Sequence, residues 1–266
     1  MQRVTVPDSS LAHRRGEAVL TLTGPGGSPL ADTEVTIKQT RHAFGFGNIG
    51  FDLIDLANGV PSAGDEELAT AYLELFNTAT LPFYWGTFEP TLGRTRTAEL
   101  LATARWFSDR GVAVKGHPLM WHTVQPGWLL DFGLDQVEQL QRERIRREAG
   151  AFAGLIDTWD AINEAVIMPV FTAEDNAITR LAHARGRFAA IRLAFEEARE
   201  TNPDAFLLIN DFDLSTAYEC LIEGMLEAGI VPDAIGLQTH MHQGYRGEEE
   251  ILAVTERFAR FGLPLH

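Results

Sequence analysis

Beyond about residue 43 the chain alternates short apolar runs with stretches of helical periodicity. The apolar runs fall at 44–49, 77–83, 112–117, 157–163, 206–211 and 234–240, and another opens at Leu263-Pro264-Leu265-His266. Between them, Phe188, Ile191, Phe195 and Ala198 recur on one helical face, which predicts a helix over Arg180–Asn202 that Pro203 stops. Ile251, Val254, Phe258 and Phe261 repeat that spacing over Gly247–Phe261. Glu138–Glu148 carries Arg142, Arg144, Arg146 and Arg147 and reads as a solvated helix face. Strands alternating with helices predict βα units on a parallel sheet. Residues 17–40 differ: two alternating runs, Ala18–Thr23 and Val35–Gln39, flank Gly24-Pro25-Gly26-Gly27 and predict an antiparallel pair.

The strands share a second feature. Val112–Val114 runs into Lys115-Gly116-His117, Thr158–Ile162 into Asn163-Glu164, Phe206–Ile209 into Asn210-Asp211, and Ala234–Leu237 into Gln238-Thr239-His240. Buried parallel strands are nearly continuously apolar. Polar groups gathered at their C-terminal ends mark the face where barrel and doubly wound enzymes build their sites. One such ending is ordinary turn capping; a succession of them points to a site.

Composition narrows the ligand. Lys and Arg number 22 against 37 Asp and Glu, a net charge of −15. That gives no basic footprint for nucleic acid and repels acidic polymers, so a neutral substrate fits best. Cys220 is the only cysteine, which excludes an intrachain disulfide and a cysteine metal site. No run of 18 apolar residues occurs, so no membrane span is expected. Met1–Asp8 lacks the apolar stretch of a signal peptide; the sequence as it stands reads as cytoplasmic, and as extracellular if a leader is removed.

Trp159-Asp160-Ala161-Ile162-Asn163-Glu164-Ala165 is the centre of the chemistry. A carboxylic acid at a strand end, preceded by an amide, suits proton donation to a glycosidic oxygen, and such an acid needs a partner carboxylate. From spacing alone, Glu164 reads equally as a cap of the following segment. Trp121 alone reads either as core packing or as a site residue, and His117 four residues before it favours the site; His122 reads as a structural histidine.

These segments resemble family 10 glycoside hydrolases, the xylanase family. Lys115-Gly116-His117-Pro118-Leu119-Met120-Trp121-His122 with Pro126-Gly127-Trp128 is similar to the family's third-strand signature, and Trp159–Ala165 to its acid/base motif. Ile209-Asn210-Asp211-Phe212 resembles its fifth-strand segment, and Gly236-Leu237-Gln238-Thr239-His240 its sixth. Phe76-Asn77 and Trp85 with Glu89-Pro90 match its second βα unit.

The resemblance implies a (β/α)8 TIM barrel over 42–266, incomplete at the C-terminus, behind an N-terminal β extension over 1–41. It implies retaining hydrolysis of β-glycosidic bonds in a xylan-like polysaccharide or oligosaccharide, with no cofactor and no metal. By position, Glu164 is the acid/base and Asn163 holds the sugar 2-hydroxyl. His117 and Trp121 line the glycone subsite. Gln238 and His240 surround the nucleophile, with His240 hydrogen-bonded to it.

Three positions depart from the family. Its nucleophile is a Glu on the seventh strand, which this sequence only begins, so no residue up to His266 takes the role; about 60–100 further residues are expected in the molecule that folds, on the scale of such barrels. Its Glu-Asn pair and Lys in the second βα loop are absent from Thr80–Trp85, and the Lys position falls on Tyr84. A glutamine after the third-strand Trp falls on Val124. Two other classes remain: a non-catalytic carbohydrate-binding barrel, and a metal-dependent barrel hydrolase using His117, His240 and His242. Against the latter, the first strand offers no His or Asp and no His-x-x-x-His helix occurs.

Overall fold

A computed structural model describes residues 19–266 apart from 39, 41 and 243. The chain divides into two compact units, Met1–Phe44 and Gly45–His266. In the first, Gly26 and Gly27 adopt φ of 93° and 80°, which closes the turn within a few residues. The antiparallel contact sits directly beside it, at Thr23 and Pro29. The second predicted run does not join: 33–38 carry no strand, and Val35 and Ile37 are exposed. A closure this tight sets Leu30, not the second run, opposite the first, with the Leu30 N–H donating to the Leu22 carbonyl at 3.0 Å. Residues 17, 18 and 39 of the predicted pair lie outside the described residues.

The second unit is built on a parallel sheet of six strands in sequence order: β1 (Gly47–Ile49), β2 (Thr78–Pro82), β3 (Ala113–His117), β4 (Thr158–Asn163), β5 (Phe206–Asp211) and β6 (Ala234–Leu237). Every predicted run contains its strand. The connections carry α1 (Asp65–Leu75), α2 (Thr97–Ser108), α3 (Leu134–Ala151), the pair α4 (Ala177–Arg185) and α5 (Arg187–Thr201), and α6 (Thr216–Glu227); α7 (Gly247–Ala259) follows β6. Beyond α7, the Ile235 and Leu237 N–H groups donate to the carbonyls of Pro264 and His266 at 2.9 and 2.8 Å. A seventh strand therefore opens where the pattern places it. Parallel strands in unbroken order, each followed by a helix, are the arrangement of a (β/α)8 barrel.

Trp159 shows how the sequence selects this packing. It is fully buried on β4, with its ring 4.7 Å from that of Phe83. Its place exists because β3 carries Gly116: a Cβ there would lie 2.1 Å from the Trp159 ring. The glycine of the Lys-Gly-His segment is thus a requirement of close strand packing. On the other side, the buried Tyr218 hydroxyl of α6 bridges β5 and β6, reaching the carbonyls of Ile209 and Gly236 at 3.0 and 3.1 Å.

Two predicted helical features are corrected. The helix over Arg180–Asn202 is two helices broken at Gly186, whose φ of 93° cannot continue an α-helix. Ile191, Phe195 and Ala198 face the core as expected, but Phe188, just past the break, is exposed. The arginine-rich face of α3 is not simply solvated. Arg142 and Arg146 pair with Glu197 of α5, Arg147 with Glu89 and Glu148, and Arg144 is fully buried. On α7, Val254 and Phe258 are buried along the predicted stripe. Among the described residues no helix is long and apolar enough to cross a membrane.

Candidate active site

The site gathers at the C-terminal ends of β2 to β6. From β4, Asn163 and Glu164 emerge side by side, with Glu164 in the left-handed region at φ 58°. A non-glycine residue pays conformational energy there and is held by its surroundings. Here the Glu164 N–H donates to the Asn210 carbonyl of β5 at 2.8 Å, and the Glu164 carbonyl accepts from Met168 at 3.1 Å. The strained backbone aims the carboxyl across the sheet toward the segment after β3, where Trp121 Nε1–H donates to Glu164 Oε2 at 2.8 Å.

The Glu164 side chain is 14% exposed, with His122 Nε2 at 3.9 Å from Oε2. Burial raises its pKa above the ordinary glutamate value; hydrogen bonding from Trp121 and Gln238 and the charge of His117 pull it back without reversing the shift. His122 is buried and its pKa falls to about 4 by desolvation, so it is neutral beside the acid. Its ring packs on Phe171 at 4.3 Å, in keeping with the structural reading. A carboxyl raised above the ordinary glutamate value holds its proton to higher pH than a free glutamate does, the direction a general acid needs.

Asn163 is fixed from two sides. Its Oδ1 accepts from Asn210 Nδ2 and from Gln238 Nε2, each at 2.9 Å. That takes both acceptor positions of the amide oxygen and leaves its hydrogens as the donors. His117 Nδ1 bonds Asp160 Oδ2 at 2.6 Å, and Lys115 Nζ pairs with the other oxygen at 2.8 Å. Tyr84, at the end of β2, stands edge-on to His117 at 5.7 Å and beside Trp121 at 5.6 Å. Its hydroxyl pKa is raised by burial, and by the charges of Asp160 and Glu164. Behind the acid, Asp211 is buried and accepts from the N–H groups of Val166 and Asp213 at 3.0 Å each; burial pushes its pKa up to about 6.

The structure therefore brings together Glu164, Asn163, His117, Trp121 and Gln238. His240 is exposed, with its ring 5.4 Å from that of His242, and lies within reach of the His117 charge. Among the described residues no three His, Cys, Asp or Glu groups are placed to hold a metal ion together. Sequence reasoning left out Asp160 and Lys115. The signal was a charge inside an otherwise apolar strand, Trp159–Ile162, which a buried strand carries only when the charge is paired. The two other carboxylates near Glu164 are committed, Asp160 to Lys115 and His117, and Asp211 to backbone N–H groups.

Comparison with known proteins relates the fold and the sequence to a family. A TM-score of 0.68 and 24% identity relate 83% of the chain to 67% of a solved xylanase 10B from Thermotoga petrophila in complex with xylobiose. Endo-1,4-beta-xylanase 3 of Hypocrea jecorina is 26% identical over 168 residues, 60% of this chain and 47% of that protein. Endo-1,4-beta-xylanase B of Thermotoga neapolitana is 28% identical over 194 residues, 68% of this chain and 54% of its own length. The chain thus spans about half the length of the curated relatives it matches. The family model described as Glycosyl hydrolase family 10 matches residues 65–266, most of the barrel unit, and the chain belongs to that family.

Proposed function

We propose that this protein hydrolyses β-1,4-glycosidic bonds of a xylan-like polysaccharide with retention of configuration, and that Glu164 is its general acid/base. The supporting observation is the Glu164 carboxyl itself: desolvated, raised in pKa, held by Trp121 Nε1–H and carried on a left-handed residue beside Asn163. In this reading, Glu164 protonates the leaving oxygen, then deprotonates the water that releases the sugar from the enzyme. The attacking carboxylate is a Glu of the seventh strand, which residues 263–266 open. Asn163 donates to the sugar 2-hydroxyl, His117 and Trp121 form the glycone wall, and Gln238 orients Asn163. His240 is the proposed hydrogen-bond partner of that nucleophile. A polymeric substrate implies work outside the cell; short oligosaccharides suit a cytoplasmic enzyme.

The test uses the full-length protein with xylan, xylo-oligosaccharides and an aryl β-xyloside, with and without a chelator. The expected result is chelator-insensitive hydrolysis whose first product, by NMR, is the β-anomer. Net inversion would refute the mechanism. Oligosaccharide binding without turnover would favour the carbohydrate-binding barrel.

Tyr84 sets a specificity prediction. An aromatic ring occupies the site's wall where the family carries a charged group, so sugar recognition there rests on ring contact. Tyr84→Ala is expected to raise KM about tenfold, the scale of one lost aromatic contact of ~1–1.5 kcal/mol, with Tyr84→Phe close to the parent. Plain xylan is expected to be cleaved less efficiently than substrates with apolar or decorated glycones. Preferential cleavage of plain xylan, measured as kcat/KM, would remove this loop from the specificity account.

A further inference from the structure

Arg144 is the one arginine of the α3 cluster that ion pairing at the surface does not explain. It is 2% exposed, in the interior between α3 and the sheet. Its guanidinium donates to three carbonyls: Nη1–H to Leu119, and Nη2–H to Phe83 and to Pro118, the last at 3.1 Å. The Trp85 ring lies against it at 4.9 Å. Gln141, one turn earlier, adds Nε2–H to the same Leu119 carbonyl at 3.1 Å. Burial lowers the Arg144 pKa to about 10, with Glu148 and Glu89 opposing that fall and Arg147 adding to it, so the group stays charged at neutral pH.

The three carbonyls are not arbitrary ones. Phe83 immediately precedes Tyr84, and Pro118 and Leu119 join His117 to Trp121. Backbone bonds join these strand ends at Phe83 N–H to the His117 carbonyl, 2.7 Å, and again only farther out, at Gly86 N–H to the Val124 carbonyl, 2.7 Å; among the described residues the stretch between them, which carries Tyr84 and Trp121, is spanned by the Arg144 fork. A planar fork with several fixed donors can bind two backbone segments at once; a lysine, with one point charge on a flexible stem, cannot hold that geometry. We infer that Arg144 is a positioning residue for the sugar-facing wall: its guanidinium locks the ends of β2 and β3 together and so sets Tyr84, His117 and Trp121 against Glu164.

The kinetic part of this inference rests on the function proposed above, whereas the placement of Trp121 can be read without turnover. In full-length protein with 15N-labelled tryptophan, the Trp121 indole signal, identified with Trp121→Phe, reports its bond to Glu164. Its pH-dependent shift is expected to vanish in Glu164→Gln. His117, Tyr84, His122 and Asp211 also face this carboxyl, with Asp160 behind His117, so the comparison is made between variants that leave all of them in place. In Arg144→Lys and Gln141→Leu, the Trp121 midpoint is expected to move to higher pH as the charged carboxyl loses its donor. Trp106 and Trp159 should keep their shifts, whereas Trp85 lies against residue 144 and Trp128 packs on Trp85, so neither serves as a control, and KM for oligosaccharide should rise at least fivefold with kcat less affected.

A folded Arg144→Lys with the parent's Trp121 titration and KM overturns the inference. If Arg144→Lys does not fold, Gln141→Leu decides on the shared Leu119 carbonyl, and an unchanged Trp121 titration there is equally fatal. A displaced Trp121 titration in a protein that hydrolyses no β-glycoside would uphold the positioning role and overturn the proposed function instead.

Discussion

Glu164→Gln is expected to lower turnover of unactivated xylo-oligosaccharides by about 10²–10⁴-fold, the usual contribution of a positioned general acid. The substitution keeps the side chain's volume and an acceptor oxygen for Trp121 Nε1–H, so the fold and the left-handed backbone at φ 58° are expected to persist. Aryl β-xylosides with acidic phenols need little protonation as they leave, so their bond-cleaving step should be far less affected. The sugar–enzyme intermediate should then accumulate, because the second step has lost its base. The pH profile supplies the sign. An acid works while protonated, so rate falls as pH rises through its pKa, and the raised value at Glu164 places that fall above the ordinary glutamate range. In Glu164→Gln this basic limb should disappear. Equal losses on both substrate types, or an unchanged basic limb, would take the acid role away from Glu164.

How far these features were legible in the sequence depends on the kind of force involved. β1 is exposed and β2 and β3 are buried at alternate positions, so those three were legible from their place between helical stretches. β4, β5 and β6 were legible because burial on both faces demands continuous apolar runs, and each run ended where the chain turned polar. The neighbours Asn163 and Glu164 were legible for the same reason, as polar residues at the end of a strand. The break at Gly186 was not, because a periodic stripe can continue across it; only the backbone shows that Phe188 begins a new helix facing solvent. Arg144 was misread because its partners are the carbonyls of Phe83, Pro118 and Leu119, and a carbonyl is the same in every residue. Tyr84 could be singled out by position, but its edge-on contact with His117 and its packing beside Trp121 depend on how two strand ends meet. His240 was placed by likeness to a motif, and the structure shows it exposed after β6.

Asp160 carries the largest stability prediction. It is fully buried, and its two oxygens face Lys115 Nζ and His117 Nδ1 at 2.8 and 2.6 Å. Burial pushes its pKa up, but the Lys115 charge and the His117 bond together hold it below the ordinary aspartate value. A depressed carboxyl contributes stability at every pH above its unfolded value and loses that contribution only as pH falls through the folded one. Asp160 should therefore stabilise the barrel fully at neutral pH. Asp160→Ala leaves the Lys115 ammonium, 21% exposed, without its counter-charge. Breaking a buried pair on one side costs ~3–5 kcal/mol, so the urea midpoint should fall accordingly at pH 7. Asp160→Asn combined with Lys115→Met removes both charges and should recover much of the loss, because a neutral, well-packed replacement avoids the desolvation of two ions. Activity should not recover with it. The imidazole of His117 would still lack the carboxylate that fixes its tautomer, and its placement against Trp121 and the sugar depends on that bond. Urea unfolding and kcat/KM measured on the same three proteins separate the two effects. A single variant as stable as the parent, or a double variant no better than the single, would show that the Lys115–Asp160–His117 group does not hold the floor of this site.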